Sequence, residues 1–357
     1  VKVLVTGGAG FIGSHIVDAL LAEGHEARIL DALLPLAHSR PPDYLDPAAE
    51  LIVGDVGDAD TVARALDGID AVSHQAAMVG LGVDLADMPD YVRHNDLGTA
   101  VLLRALAARG LNGPLVLASS MVVYGEGRYR CAEHGEVTPP PRRVAELEAG
   151  RFEARCPTCD GPLEPEAIDE LGRLDPRNVY AATKLHQEHL CSAAARESDL
   201  RVVALRYHNV YGPRMPRDTP YAGVASIFAS SLAAGRSPRV YEDGGQLRDF
   251  VHVRDVARAN LAALGAGGDG DGDGDGVIAV NIASGQPRSI LDMAQALSDA
   301  HGADAPRPQV TGDFRLGDVR HVFASAQRAR AELGFTAQED FADGMAEFAR
   351  APLRASS

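Results

Sequence analysis

The opening run Val1-Lys-Val-Leu-Val-Thr-Gly-Gly-Ala-Gly-Phe-Ile-Gly13 restricts the possible folds more than any other stretch. A short apolar segment reads as a buried strand, then turns at once into an amphipathic helix. Glycines at 7, 10 and 13 permit a tight turn, close approach of an anion and close helix packing. A helix start also offers unpaired N–H groups and the positive end of a dipole. The pattern then repeats. Residues 1–6, 27–30, 51–53, 71–73 and 115–118 read as strands, and 11–23, 59–66 and 91–109 as the helices between them. Alternating strands and helices imply a parallel sheet covered on both faces.

The expected fold class is therefore α/β: a Rossmann-type doubly wound parallel sheet with a smaller C-terminal substrate lobe. Residues 201–206 and 277–282 read as later strands of the same sheet. The predicted division is a dinucleotide-binding domain over 1–206, rejoined by 249–283, and a lobe over 207–248 and 284–357. A chain of 357 residues has room for both. Two segments break the rhythm. Residues 127–174 are rich in Pro, Glu and Arg and hold three of the four cysteines. Residues 267–276 alternate Gly and Asp and offer nothing apolar to bury, which predicts a surface loop.

In the glycine loop, Gly7, Gly10 and Gly13 would cradle a dinucleotide pyrophosphate. Asp31 ends the next strand, where an acidic side chain accepts from ribose hydroxyls. A carboxylate there repels a 2′-phosphate and so favours NAD over NADP. Asp55, closing the third strand, can touch adenine or serve as an ordinary turn aspartate. The net charge of −16 disfavours nucleic acid and anionic membranes as partners. No apolar run approaches the roughly 20 residues of a membrane helix, and the first strand is too short for a signal peptide. The expectation is a soluble, cytoplasmic protein.

A second constellation lies in Asp175-Pro-Arg-Asn-Val-Tyr-Ala-Ala-Thr-Lys184. Asp175 can cap a helix and Pro176 suits its first turn. Tyr180 and Lys184, four apart, would then share one face. A nearby cation stabilises phenolate and makes Tyr180 a base for a sugar or alcohol hydroxyl. Such a pair is also common on ordinary exposed helices. Ser119 and Ser120, in Leu117-Ala-Ser-Ser-Met-Val-Val-Tyr-Gly125, stand at a strand end, the edge where open α/β sheets bind ligands.

These motifs, with Arg206-Tyr-His-Asn-Val-Tyr-Gly-Pro213 and Arg248-Asp-Phe-Val-His252, resemble the extended short-chain dehydrogenase/reductase family, and within it the nucleotide-sugar epimerases. The resemblance spans nearly the whole chain. It implies that Tyr180 is the base, that Lys184 lowers its pKa and binds nicotinamide ribose, and that Ser120 is the hydroxyl partner. It extends the cofactor set to Phe11, Ile12, Val56 and Ala76. It assigns Ser119, Asn209, Arg248 and Arg315 to a nucleotide-diphosphate sugar, and His208 stands where relatives usually carry Phe. Related 4,6-dehydratases carry Asp-Glu after the catalytic Thr, where this chain has Met121 and Val122. Related uronate decarboxylases carry Glu at the position of Val122. Reversible oxidation at C4 with tightly bound NAD remains, on a dTDP- or UDP-linked (6-deoxy)hexose, in a homodimer built on the Tyr180 helix and its neighbour. A dehydrogenase or 4-ketoreductase, and a non-catalytic NAD-binding sensor, are the competing readings.

Cys131-Ala-Glu-His134 and Cys156-Pro-Thr-Cys159 present two pairs of ligands from tight turns. Four such ligands suit a closed tetrahedral zinc, predicting a structural zinc knuckle. Free thiols beside an unrelated histidine, or a Cys156–Cys159 redox pair, are the alternatives. Cys191 is expected to pack as a small hydrophobe. Within the resembling family, an insertion of this kind points to epimerases of dTDP-linked 6-deoxyhexoses.

Overall fold

The structure, a computed structural model, describes residues 1–35, 37–38, 42–80, 85–111, 113–217, 223–266 and 276–354. Seven strands make the main sheet: β1 (Lys2–Thr6), β2 (Glu26–Asp31), β3 (Glu50–Val53), β4 (Ala71–His74), β5 (Pro114–Ser120), β6 (Arg201–Tyr207) and β7 (Val277–Ile282). All pair in parallel, in the order β7-β6-β5-β4-β1-β2-β3. The order reverses between β1 and β4, so the connections leave a crevice outside their C-terminal ends.

Alternation along the strands builds two cores. Leu4, Leu30, Val72, Leu115 and Leu117 face one side, with Leu102, Leu106 and Cys191. Val3, Val5, Ala27 and Ile29 face the other, with Ile16, Val17 and Leu20. The covering helices on the first side are α2 (Ala59–Ala65), α3 (Gly98–Arg109) and α4 (Val179–Glu197); α1 (Phe11–Ala22) and α5 (Val253–Gly265) cover the second. Cys191 is fully buried among these apolar side chains.

Two smaller bodies sit at the C-terminal edge of the sheet. Strands Asn209–Tyr211, Leu247–His252 and Pro287–Ser289 form one sheet. Beside it, helices Val224–Ala233, Ile290–His301 and Phe341–Arg350 share a core that includes Phe228, Phe250, Met293 and Phe348. The segment between β5 and α4 forms an antiparallel sheet of Arg128–Cys131, Gly135–Val137 and Leu163–Glu166. Its own core is only Tyr129, Cys131, Ala154, Cys156 and Leu163, with Val137 against them.

Two expectations about helices need correction. α4 starts at Asn178, not Asp175: Asn178 is extended, and its side chain accepts from the Ala181 N–H at 2.8 Å. Asp175 instead pairs with Arg177, since the chain is still extended there. The helix expected over 91–109 is also interrupted: a short turn Met88–Tyr91 leads into a π-helical stretch Val92–Leu97 before α3. The Gly-Asp segment falls outside the described residues, apart from Gly276.

Candidate functional site

β1 ends at Thr6 and the chain turns through Gly7 into α1. Gly7 has φ +67°, and a Cβ there would lie 2.7 Å from the Ala76 nitrogen. A Cβ on Gly13 would overlap the Gly7 carbonyl. The loops after β1 and β4 therefore touch backbone to backbone. Gly10 caps α1 with no side chain, which leaves the first N–H groups, at Phe11 and Ile12, open to an anion. The Asp31 carboxylate accepts from the Ala9 N–H at 3.0 Å and the Leu33 N–H at 2.9 Å. It thus faces the glycine loop from the end of β2. Asp55 holds the Gly57 N–H at 2.7 Å, and Val56 is buried against the α2 and α3 core. A Gly13→Ala variant is expected to lose its dinucleotide, because the loop must open to admit the methyl group. Cofactor released on denaturation measures this, and a wild-type yield would contradict it.

The second group converges on the ends of β5 and α4. Ser119 pairs with Arg206 and Ser120 with Tyr207 in the β5–β6 register. Lys184, only 3% exposed, donates to the Ala118 carbonyl at 2.7 Å, and its nitrogen lies 5.9 Å from the Tyr180 ring centroid. Burial lowers the Lys184 pKa to about 8 against the opposing pull of Asp96 and Glu188. Burial also pushes the Tyr180 phenol up to about 12, while the adjacent Ser120 hydroxyl pulls it down. Ser120, Tyr180 and Lys184 are thus in one place, with the Tyr91 ring tilted at 54° to that of Tyr180 and 6.3 Å from it. Ser119 is engaged elsewhere: its hydroxyl bonds to Glu188, which also holds Arg206 at 2.8 Å.

Behind this group runs a polar chain that the sequence reading missed. His74 bonds Thr6 at 2.6 Å and Thr99 at 2.9 Å; Asn95 donates to Thr183 at 2.9 Å. Gln187 donates to Thr99 at 2.6 Å. Burial holds the His74 pKa down near about 3, so the ring is neutral. The signal was present as polar residues four apart on one face: Asn95 and Thr99, then Thr183 and Gln187.

Of the residues assigned to a diphosphate, Asn209 starts the strand beside Leu247–His252, and its side-chain oxygen is buried with no partner among the described residues. The Arg248 guanidinium donates to the carbonyls of Leu247 at 2.8 Å, Arg320 at 2.9 Å and Val319 at 2.7 Å. Arg315 is exposed, 5.9 Å from the Tyr241 ring centroid. Further out, Cys131, His134, Cys156 and Cys159 bring their ligand atoms within 4.8 Å of one another. Cys131 Sγ stands 3.5 Å from His134 Nδ1 and 3.7 Å from Cys159 Sγ; Cys156 Sγ is 3.7 Å from His134 Nδ1.

Comparison with known proteins agrees with this geometry. The chain is 36% identical to dTDP-L-rhamnose 4-epimerase of Burkholderia thailandensis, over 97% of this chain and 93% of that one. Its fold matches a Thermus thermophilus UDP-glucose 4-epimerase solved with NAD, with TM-score 0.75, 30% identity and 98% of each chain covered. It also matches a UDP-N-acetylglucosamine 4-epimerase from Methanobrevibacter ruminantium, with TM-score 0.77, 29% identity and coverage of 98% and 97%. The profile of the NAD dependent epimerase/dehydratase family aligns with residues 3–145 and 157–283. With the glycine loop and the strand-end serine at the same edge of one parallel sheet and the Tyr–Lys helix against that serine strand, the chain belongs to the NAD dependent epimerase/dehydratase family.

Proposed function

We propose that the protein is an NAD-dependent nucleotide-sugar 4-epimerase acting on a dTDP- or UDP-linked hexose, in the first case a 6-deoxyhexose. The observation that carries this is Tyr180 near Lys184 and beside Ser120, with Met121 and Val122 following the serine. Among the described residues Tyr180 is the base this group offers, and the two side chains after Ser120 can move no proton. That suits removing and returning a single hydroxyl proton, and it supplies nothing for loss of water or carbon dioxide. The named 4-epimerases among the relatives support the same reaction.

The glycine loop fits a pyrophosphate because its close approaches exclude any Cβ at Gly7 and Gly13. Asp31 fits an unphosphorylated ribose, which favours NAD. Gly7, Gly10, Phe11, Ile12 and Gly13 would hold the pyrophosphate, and Asp31, Asp55, Val56, Ala76 and Lys184 the nucleosides. When bound, NAD would supply the reversible oxidant for C4. Ser120 orients the C4 oxygen, Tyr180 takes its proton as a base, and the same phenol returns it to the ketone oxygen. The resemblance assigns Asn209, Arg248 and Arg315 to the diphosphate. Ser119 acts from beneath, tying the strand end to Glu188. The lobe formed by 207–248 and 284–357 would carry the sugar nucleotide over the sheet edge. Exposed Val92 and Leu97, beside α3, suit pairing of two copies.

Lys184 tunes this base by its charge. Removing a positive charge near a phenol raises the phenol pKa, so a Lys184→Met variant should show a kcat–pH profile displaced to higher pH. Each unit of displacement lowers the phenolate fraction at pH 7 about tenfold. An undisplaced profile would remove Lys184 from this role. A dehydrogenase or 4-ketoreductase is distinguished by cofactor retention. Denaturing the purified protein should release close to one NAD per chain, and a cofactor-free preparation with full activity on added NAD(H) would favour that second reading.

The cysteine cluster fits zinc. At zinc–sulfur and zinc–nitrogen lengths of about 2.3 and 2.0–2.1 Å, tetrahedral geometry separates two sulfurs by about 3.8 Å and sulfur from nitrogen by about 3.6 Å. The separations of 3.7 Å and 3.5 Å found here are close to these. Four protein ligands close the shell, so the ion would be structural, stapling a unit whose core is too small to fold alone.

A further inference from the structure

The zinc-type unit is not tethered only by its ends. Each of its cysteine arms also grips the same short strap, Val319–Val322, in the C-terminal lobe. Tyr129, two residues before Cys131, accepts the His321 N–H on its hydroxyl at 3.2 Å. Glu153, three residues before Cys156, bonds the His321 ring at 2.9 Å and Arg320 Nε at 2.9 Å. Arg320 is 1% exposed and also meets Glu242 at 2.9 Å and Asp243 at 2.8 Å. The strap in turn cages Arg248, since the carbonyls of Val319 and Arg320 are two of the three that its guanidinium holds.

We propose that the cysteine-ligated unit is a brace for the diphosphate site, with Glu153 and Tyr129 as positioning residues that hold the Arg320–His321 strap and, through it, Arg248. Arg248 is fixed by strap carbonyls, so its placement depends on the backbone of that strap. On this side that backbone is held by the Tyr129 hydroxyl at the His321 N–H, by the Glu126 carboxylate at the Arg320 N–H (3.0 Å) and by the Gly127 N–H at the His321 carbonyl (2.9 Å), while Glu153 holds the strap through the Arg320 and His321 side chains. Metal binding fixes the spacing of the arms, and therefore the grip. The brace sets affinity for the nucleoside diphosphate part of the substrate. It leaves proton transfer at Tyr180 and the dinucleotide loop untouched, because neither contacts the strap. This inference rests on the nucleotide-sugar reading given above.

The test compares wild type with Glu153→Gln and Tyr129→Phe, each checked for metal, NAD content and melting temperature. dTDP and UDP are titrated by calorimetry, and KM and kcat are measured separately. The expected result is about tenfold weaker binding of the nucleoside diphosphate, within the usual range for coupling of this kind. KM rises in step, kcat stays within about twofold, and Glu153→Asp restores part of the affinity. Unchanged KM and diphosphate affinity in both variants would overturn the brace while leaving the epimerase reading intact. Loss of NAD together with affinity would also overturn it, because the effect would not then pass through the strap. Glu153-dependent dTDP or UDP binding in a wild type that fails to invert C4 would sink the epimerase reading and keep the brace. A wild type that binds neither nucleotide contradicts both.

Discussion

A Tyr180→Phe variant keeps its NAD and its melting temperature and turns over nucleotide sugar about 10²–10⁴-fold more slowly, the range for loss of a positioned acid–base group. The ring of Tyr180 packs at 6.3 Å on Tyr91, and Phe preserves that contact. Only the hydroxyl is lost. Burial outweighs the Ser120 hydrogen bond and pushes the pKa of that hydroxyl up to about 12, so it is neutral in the cofactor-free protein near pH 7. On the proposed reading, its activity as a base depends on positive charge close by, from bound cofactor as well as from the protein. Lys184 provides one charge, and remains largely protonated at pH 7 even with its pKa lowered to about 8. Steady-state kinetics with NAD content measured on the same sample checks the prediction. Turnover within about threefold of wild type would remove Tyr180 from the chemistry.

The second large effect concerns the metal. The native protein is expected to carry about one zinc per chain, and Cys156→Ser to carry almost none. Structural zinc in small modules contributes about 10–16 kcal/mol at neutral pH. The six side chains packed between the arms cannot replace a term of that size. The variant should therefore open the segment 127–174 to proteases while the seven-stranded sheet still holds NAD. Cys191→Ala is the control: its thiol is buried on α4 away from the cluster, and zinc content should not change. Elemental analysis after removal of loose metal decides the matter. Less than about half an equivalent in wild type would contradict a closed four-ligand site.

Much of the sheet was legible because its strands are buried on both faces and bounded by turn residues. Residues 277–282 read as a strand from their apolar run alone, and β7 has those limits. The glycine loop and the Tyr–Lys pair were legible because their spacing is local. What escaped is set by distant partners. Asp175 looks like a helix cap, but three residues further on Asn178 makes the cap bond. Ser119 looks as available as Ser120 until Glu188, 69 residues later, takes its hydroxyl. Arg248 reads as a free cation for phosphate, yet the strap more than 70 residues on holds its guanidinium. Glu153 gave no sign at all, since its partners Arg320 and His321 lie 167 and 168 residues away.

The most direct test of the account follows a deuterium label at C4 of the sugar. dTDP- and UDP-sugars labelled there are incubated with protein carrying only its own NAD, and the products are read by NMR. One base and one retained cofactor predict inversion at C4 with the deuterium kept at C4, and no NADH or 4-keto sugar released. Accumulation of a 4-keto product with NADH in solution, or no C4 inversion of any sugar in the panel, would contradict it.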